Sequence, residues 1–153
     1  MTLNTGDDRR ILLIAANDTF CHVYQNLAEL LAAADHGEKL AGGIEFFDVT
    51  GRRLHPRFSA DWRLEDLQTG YDAADPEAVR ARVRAVVSHL VRYVRDHPEV
   101  LAQSRISLEE ALAEVPALDG PDLSHDLGAL PDHLEHDRGN WMHNAMHVAG
   151  WAH

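Results

Sequence analysis

Between Asp75 and Pro98 the chain is written as one long amphipathic helix, and such a helix holds only if something covers its apolar side. Asp75-Pro76-Glu77 combines an N-cap oxygen, a proline at the first helical position and an acid in the first turn. Val79, Val83, Val86, Val87, Leu90 and Val94 then recur at helical spacing as a continuous stripe, and Pro98 ends the pattern after His97.

Upstream, the sequence offers strands to cover that stripe. Ile11–Ala16 (ILLIAA) is an apolar run of strand length. Asn17-Asp18-Thr19 follows with N-cap oxygens and predicts a helix from about Phe20 to Ala34, with Val23, Leu27, Leu30, Leu31 and Ala34 facing the sheet. Gly42-Gly43 opens a second strand, Ile44–Val49, Thr50-Gly51 makes a turn, and Arg52–Phe58 returns. Ile44 and Phe46 share one face of the outgoing strand, and Leu54 and Phe58 one face of the return. Pro56 lacks an amide donor, which predicts an edge or short return strand. Ala60–Leu67 fits either a third strand or a short helix.

Downstream, Ser107-Leu108-Glu109-Glu110 is a capping box for a shorter helix that Pro116 closes. Residues 116–131 are rich in Pro, Gly and Asp and predict a surface loop. Two short helices are expected after it, at about Pro131–Arg138 and Asn140–Trp151, separated by Gly139. The order β-α-β-β-(β)-α-α predicts an α+β fold. A small antiparallel or mixed sheet is packed by helices and carries a helical, histidine-rich C-terminal segment. The expected organisation is a loose tail over 1–8 and an α+β domain over 9–115. Residues 116–153 then form a loop and a His/Trp-rich helical segment packed on that domain.

Composition narrows the function. A net charge of −11 argues against nucleic-acid binding, which needs clustered cations. No stretch approaches the roughly 18 apolar residues that span a bilayer. The first residues lack a signal-peptide layout, and Cys21 is the one cysteine; both point to a soluble, cytoplasmic protein. Cys21 itself reads as a small buried residue. There is no GxGxxG, Walker A loop or GxSxG elbow.

The last 29 residues carry six of the eleven histidines, two of the three tryptophans and two of the three methionines. His143 and His147 are spaced i,i+4, which puts two imidazoles on one helical face within chelating reach. His133 and His136 are spaced i,i+3 just upstream, among Asp132, Glu135 and Asp137. A hairpin at Gly139 would bring the two pairs together. His143 and His147, joined by His133 and His136 and by Asp132 or Glu135, form a candidate site for a divalent metal. Zinc is the first expectation, with nickel, copper or iron as alternatives. Two histidines and a carboxylate would leave open positions, as metal-dependent catalysis on a small molecule requires. No established zinc signature is present.

The segment HLEHDRGNWMH, residues 133–143, resembles the histidine-plus-RG segment of the metal-binding DinB-like four-helix bundles. The resemblance ends there. The strand-bearing N-terminal half does not match a helical bundle, so no family site is carried over.

Three other features compete for a role. Trp141, Met142, Met146 and Trp151 are natural anchors, either on the chain's own domain or in a homodimer interface. The latter would make the protein a non-catalytic interaction partner. Arg80, Arg82, Arg84, Arg92 and Arg95 line the outer side of the valine-striped helix. They read as a solvated face, or as a surface on which the acidic 116–153 segment lies within the protein or across a dimer. Phe46, Phe47, Phe58 and Trp62 read as core, or as a small-molecule pocket with Arg53, His55 and Arg57 as polar contacts.

Overall fold

A computed structural model gives the fold of residues 8–33, 43–130 and 141–148. Its strands are β1 (Ile11–Ala15), β2 (Cys21–Tyr24), β3 (Ile44–Phe47), β4 (Arg53–Phe58) and β5 (Leu64–Thr69). They form one antiparallel sheet in the order β2-β1-β3-β4-β5. Every residue of β1 is buried, so both faces of the sheet are covered at its centre. The mixed α+β class expected from the sequence is the class observed.

The stretch expected as one helix from about Phe20 to Ala34 is divided. Cys21–Tyr24 is a strand, and only Leu27–Ala33 is helical (α1) among the described residues. The observed order therefore begins β-β-α rather than β-α. The reason lies in Asn17 and Asp18, which serve a turn instead of a cap. The Asn17 carboxamide oxygen accepts from the Thr19 amide at 3.3 Å and its hydroxyl at 2.7 Å. Asp18 takes a left-handed conformation, φ 57°, and donates its amide to Ala15. The side-chain acceptor at the helix start is Asn26, which takes the Glu29 amide at 2.8 Å, while Glu29 accepts from the Gln25 amide at 2.6 Å.

The stretch Ala60–Leu67 divides: its first four residues form the turn after β4, and strand begins at Leu64 as β5. Pro56 does not mark an edge strand, because β4 lies between β3 and β5. It sits beyond the last pair with β3, which is Phe46 with Leu54, so its missing amide breaks no bond to β3. The pairing register sets the two faces. Leu13 pairs with His22 and Phe46, and Phe46 with Leu54, on one side; Leu12 pairs with Val23 and Phe47 on the other. Phe46 and Phe47 are core residues.

α1 touches both edge strands, β2 and β5. A helix of seven residues is about 10 Å long, whereas the edges of a flat five-stranded sheet stand about 19 Å apart. The sheet therefore curls around α1. The other face carries α2 (Pro76–Asp96), whose Asp75 cap accepts the Ala78 amide at 3.1 Å. All six residues of its predicted stripe are buried. Its first turn abuts the β3–β4 turn. There Gly51 has φ 84°, and a Cβ would lie 2.6 Å from Pro76 Cα, so only glycine fits.

A 3-10 segment, Pro98–Ser104, follows, then α3 (Leu108–Ala113), α4 (Leu123–Leu127) and α5 (Trp141–Val148). The Ser107/Glu110 capping box of α3 is present as expected. α4 interrupts the segment expected as plain loop. The 3-10 segment, α3, α4 and α5 all touch α2. The arginines of α2 are engaged rather than simply solvated. Arg80 reaches Asp126 at 2.7 Å and Gly120 O at 3.1 Å, and Arg84 reaches Leu118 O at 2.7 Å, so residues 118–126 dock on them within the chain. Arg82 turns the other way, to Asp18, Glu45 and Ala15 O, with its guanidinium 5.7 Å from the Phe47 ring centroid. Arg92 and Arg95 are exposed.

Two tests follow from local geometry. Trp62, at the β4–β5 turn, has φ 62°, a conformation that costs an L-residue about 1 kcal/mol or more. Trp62→Gly should therefore be about 1 kcal/mol more stable than Trp62→Ala in urea denaturation, since both remove the ring. Equal stabilities would refute the turn geometry. The second concerns Asp8, which bonds Arg10 at 2.8 and 2.9 Å and Ser124 at 2.7 Å. The Arg10 guanidinium holds its carboxyl at about 2. A depressed carboxyl stabilises the fold above its ordinary range and loses that effect as pH falls toward 2. Asp8→Asn should cost about 1 kcal/mol at pH 6, after allowance for solvent screening, and this deficit should shrink steadily below pH 4.

Candidate functional site

α5 is the part of the candidate metal segment that lies within the described residues. It is seated on the Pro98–Ser104 segment and on α2. Trp141, Met142, Asn144, Ala145 and Met146 are all buried there. Inside this apolar contact the Asn144 amide nitrogen donates to the Ser104 hydroxyl at 2.8 Å. Trp141, Met142 and Met146 thus anchor the helix within the protomer, so these side chains are not surface available to a second copy.

Positions 143 and 147 both fall within α5, one turn apart. At about 100° per residue, the five buried positions span one side of the helix, and positions 143 and 147 fall together in the remaining sector. The side chains of His143 and His147 lie outside the described residues. So do Asp132, His133, Glu135 and His136, the Gly139 hairpin, the helix expected at about Pro131–Arg138, and Trp151.

The other histidines within the described residues are dispersed. His22 is buried, with Nε2 3.1 Å from the Tyr24 hydroxyl and its ring edge-on to that phenol. His89 is exposed on α2. His97 stacks on Tyr93 at 4.6 Å and approaches Glu99 at 3.5 Å. His125 lies against Gly120, where a Cβ would meet its ring at 2.2 Å. Among the described residues no group of three or more His, Cys, Asp or Glu is placed to hold a metal ion. Cys21 is fully buried, and desolvation pushes its thiol up to about 12, so it supplies neither a nucleophile nor a thiolate ligand.

One pairing was not visible in the sequence. On the open face of β4, Arg53, His55 and Arg57 alternate outward. His55 Nε2 meets Asp72 Oδ2 at 2.5 Å, and the hydrogen bond from His55 holds the Asp72 carboxyl below its usual range. Gly70 makes room, since a Cβ there would lie 3.0 Å from the imidazole. Seventeen residues separate the partners, and only the β4–β5 hairpin brings them together. The pair is about half exposed, no third His, Cys, Asp or Glu among the described residues joins it into a metal site, and it latches the loop after β5 to β4.

Comparison with protein-family models, curated proteins and solved structures finds no match for this chain. Among the described residues no helix is long and apolar enough to cross a membrane.

The seat of α5 can be tested directly. Met146 is 1% exposed, and Met146→Ala should cost about 2–5 kcal/mol. Amide exchange at residues 141–148 should accelerate more than in the β1 strand. Unchanged stability and exchange would mean that α5 does not dock on α2.

Proposed function

We propose that the protein is a cytoplasmic metal-binding protein whose site is built on α5. The observation that carries this reading is the i,i+4 spacing of His143 and His147 on a helix anchored by its opposite side. A helix fixed in this way holds its outer positions with little loss of conformational freedom on binding, which favours chelation. His133 and His136 are the further nitrogen donors, and Asp132 or Glu135 the carboxylate. Nitrogen and oxygen donors of this kind suit zinc first, then nickel, copper or iron. With only two histidines and one carboxylate as ligands, the open positions would admit water and a small molecule, and the protein would act as a metal-dependent enzyme.

The test is elemental analysis of tag-free protein purified without chelator, beside the His143→Ala/His147→Ala variant. The expected result is about one metal per chain, lost in the variant, with circular dichroism unchanged. No metal in the wild type after incubation with zinc, nickel, copper or iron, or equal metal in the variant, overturns the proposal.

A further inference from the structure

We infer that a groove between α2 and residues 115–118 binds a small amphipathic carboxylate, with Arg84 receiving the carboxylate. The groove encloses about 360 Å³, within the usual range for small-molecule sites. Val87 and Val91 form one apolar wall and Val115 and Pro116 the other. Arg84 closes one end, and Ser88 stands at the rim.

Charge identifies the occupant. Arg80 pairs with Asp126 and Glu77, and Arg82 with Asp18 and Glu45. Arg84 has no carboxylate partner among the described residues. Its Nε and Nη2 both donate to the Leu118 carbonyl, at 3.2 and 2.7 Å. A guanidinium has five donor hydrogens, so this leaves Nη1 and half of Nη2 to bond an incoming anion. Leu118, whose carbonyl takes both bonds, sits at φ 56°, a left-handed conformation that a leucine keeps only under constraint. The far wall is thus fixed before any ligand arrives, which lowers the entropic cost of binding.

Length sets the ligand class. From Arg84 to Val91 the groove follows α2 for about 10 Å at 1.5 Å per residue. An extended monocarboxylate of about eight carbons spans that distance, its head at Arg84 and its tail between the valines. The groove is open on one side, so an affinity of about 1 mM or somewhat tighter is expected.

Octanoate, kept below its micellar range, should be titrated into ¹⁵N-labelled protein, with octanamide as the uncharged control. Saturable shifts confined to residues 84–91 and 115–118 are expected. Octanamide and Arg84→Gln should each weaken binding by about tenfold or more. Ser88→Trp, a substitution at an exposed position, should fill the groove and abolish the shifts without unfolding the chain. Shifts that do not saturate, equal binding of octanamide, or full binding by Ser88→Trp overturns the proposal, and none of these depends on the Arg84 variant remaining folded.

Discussion

The apolar stripe of α2 is the constraint on which the rest of the molecule depends. Six side chains, Val79 to Val94, are buried along it, and each such burial contributes about 1.5–3 kcal/mol relative to exposure. No other helix among the described residues offers a comparable continuous surface. The 3-10 segment, α3, α4 and α5 all touch α2, and Arg82 ties it to Glu45 on β3 and to the Ala15 carbonyl on β1. The arginines contribute less energy and more direction. Arg80 and Asp126 are buried together, 11% and 4% exposed, and such a pair roughly offsets its own desolvation. Its effect is on register: it fixes where residues 118–126 cross α2, and thereby shapes the groove beside Arg84.

Because α2 and its satellites cover only part of the sheet, the two faces of β4 have different fates. Leu54 is buried, while Arg53, His55 and Arg57 face water. This explains why so short a hairpin carries so many arginines. Arg53 and Arg57 pair with Glu45 and Glu65, and His55 with Asp72, and pairs of this exposure contribute about 0–1 kcal/mol each. The open face is polar because its side chains are exposed, so its charge pattern alone does not mark a site.

What could be read from the sequence was what local chemistry decides. α2 was legible from end to end because stripe, cap and terminating proline all lie within one segment. The capping box of α3 was legible for the same reason. The β2 strand was not. Asn and Asp satisfy a turn and a helix cap with the same side-chain oxygens, and Phe20–Tyr24 contains residues at home in either element. Only pairing with β1 decides between them, and pairing is a long-range contact. The same holds for His55 with Asp72, for Arg84 with the Leu118 carbonyl, and for Trp62 in a conformation usually given to glycine. The arginine row shows an intermediate case. Its attraction for the acidic downstream segment was visible as charge, but the division of labour was not. Arg80 and Arg84 take residues 118–126 while Arg82 turns to the β1–β2 turn, and that split depends on the helical angle between neighbouring positions.

The candidate metal segment shows how one polar residue can decide what a helix presents. An apolar face made of Trp141, Met142, Ala145 and Met146 would tolerate some rotation, because methionine adapts to irregular surroundings. Asn144 removes that freedom. It is 2% exposed and bonds Ser104, and withdrawing a buried amide from such a bond costs about 1–3 kcal/mol. A rotation of α5 by one position would break this bond. Asn144 therefore selects the rotational setting of α5 on its seat. Histidine content alone never specified this. The specificity comes from the pairing of a buried amide on α5 with a hydroxyl forty residues upstream.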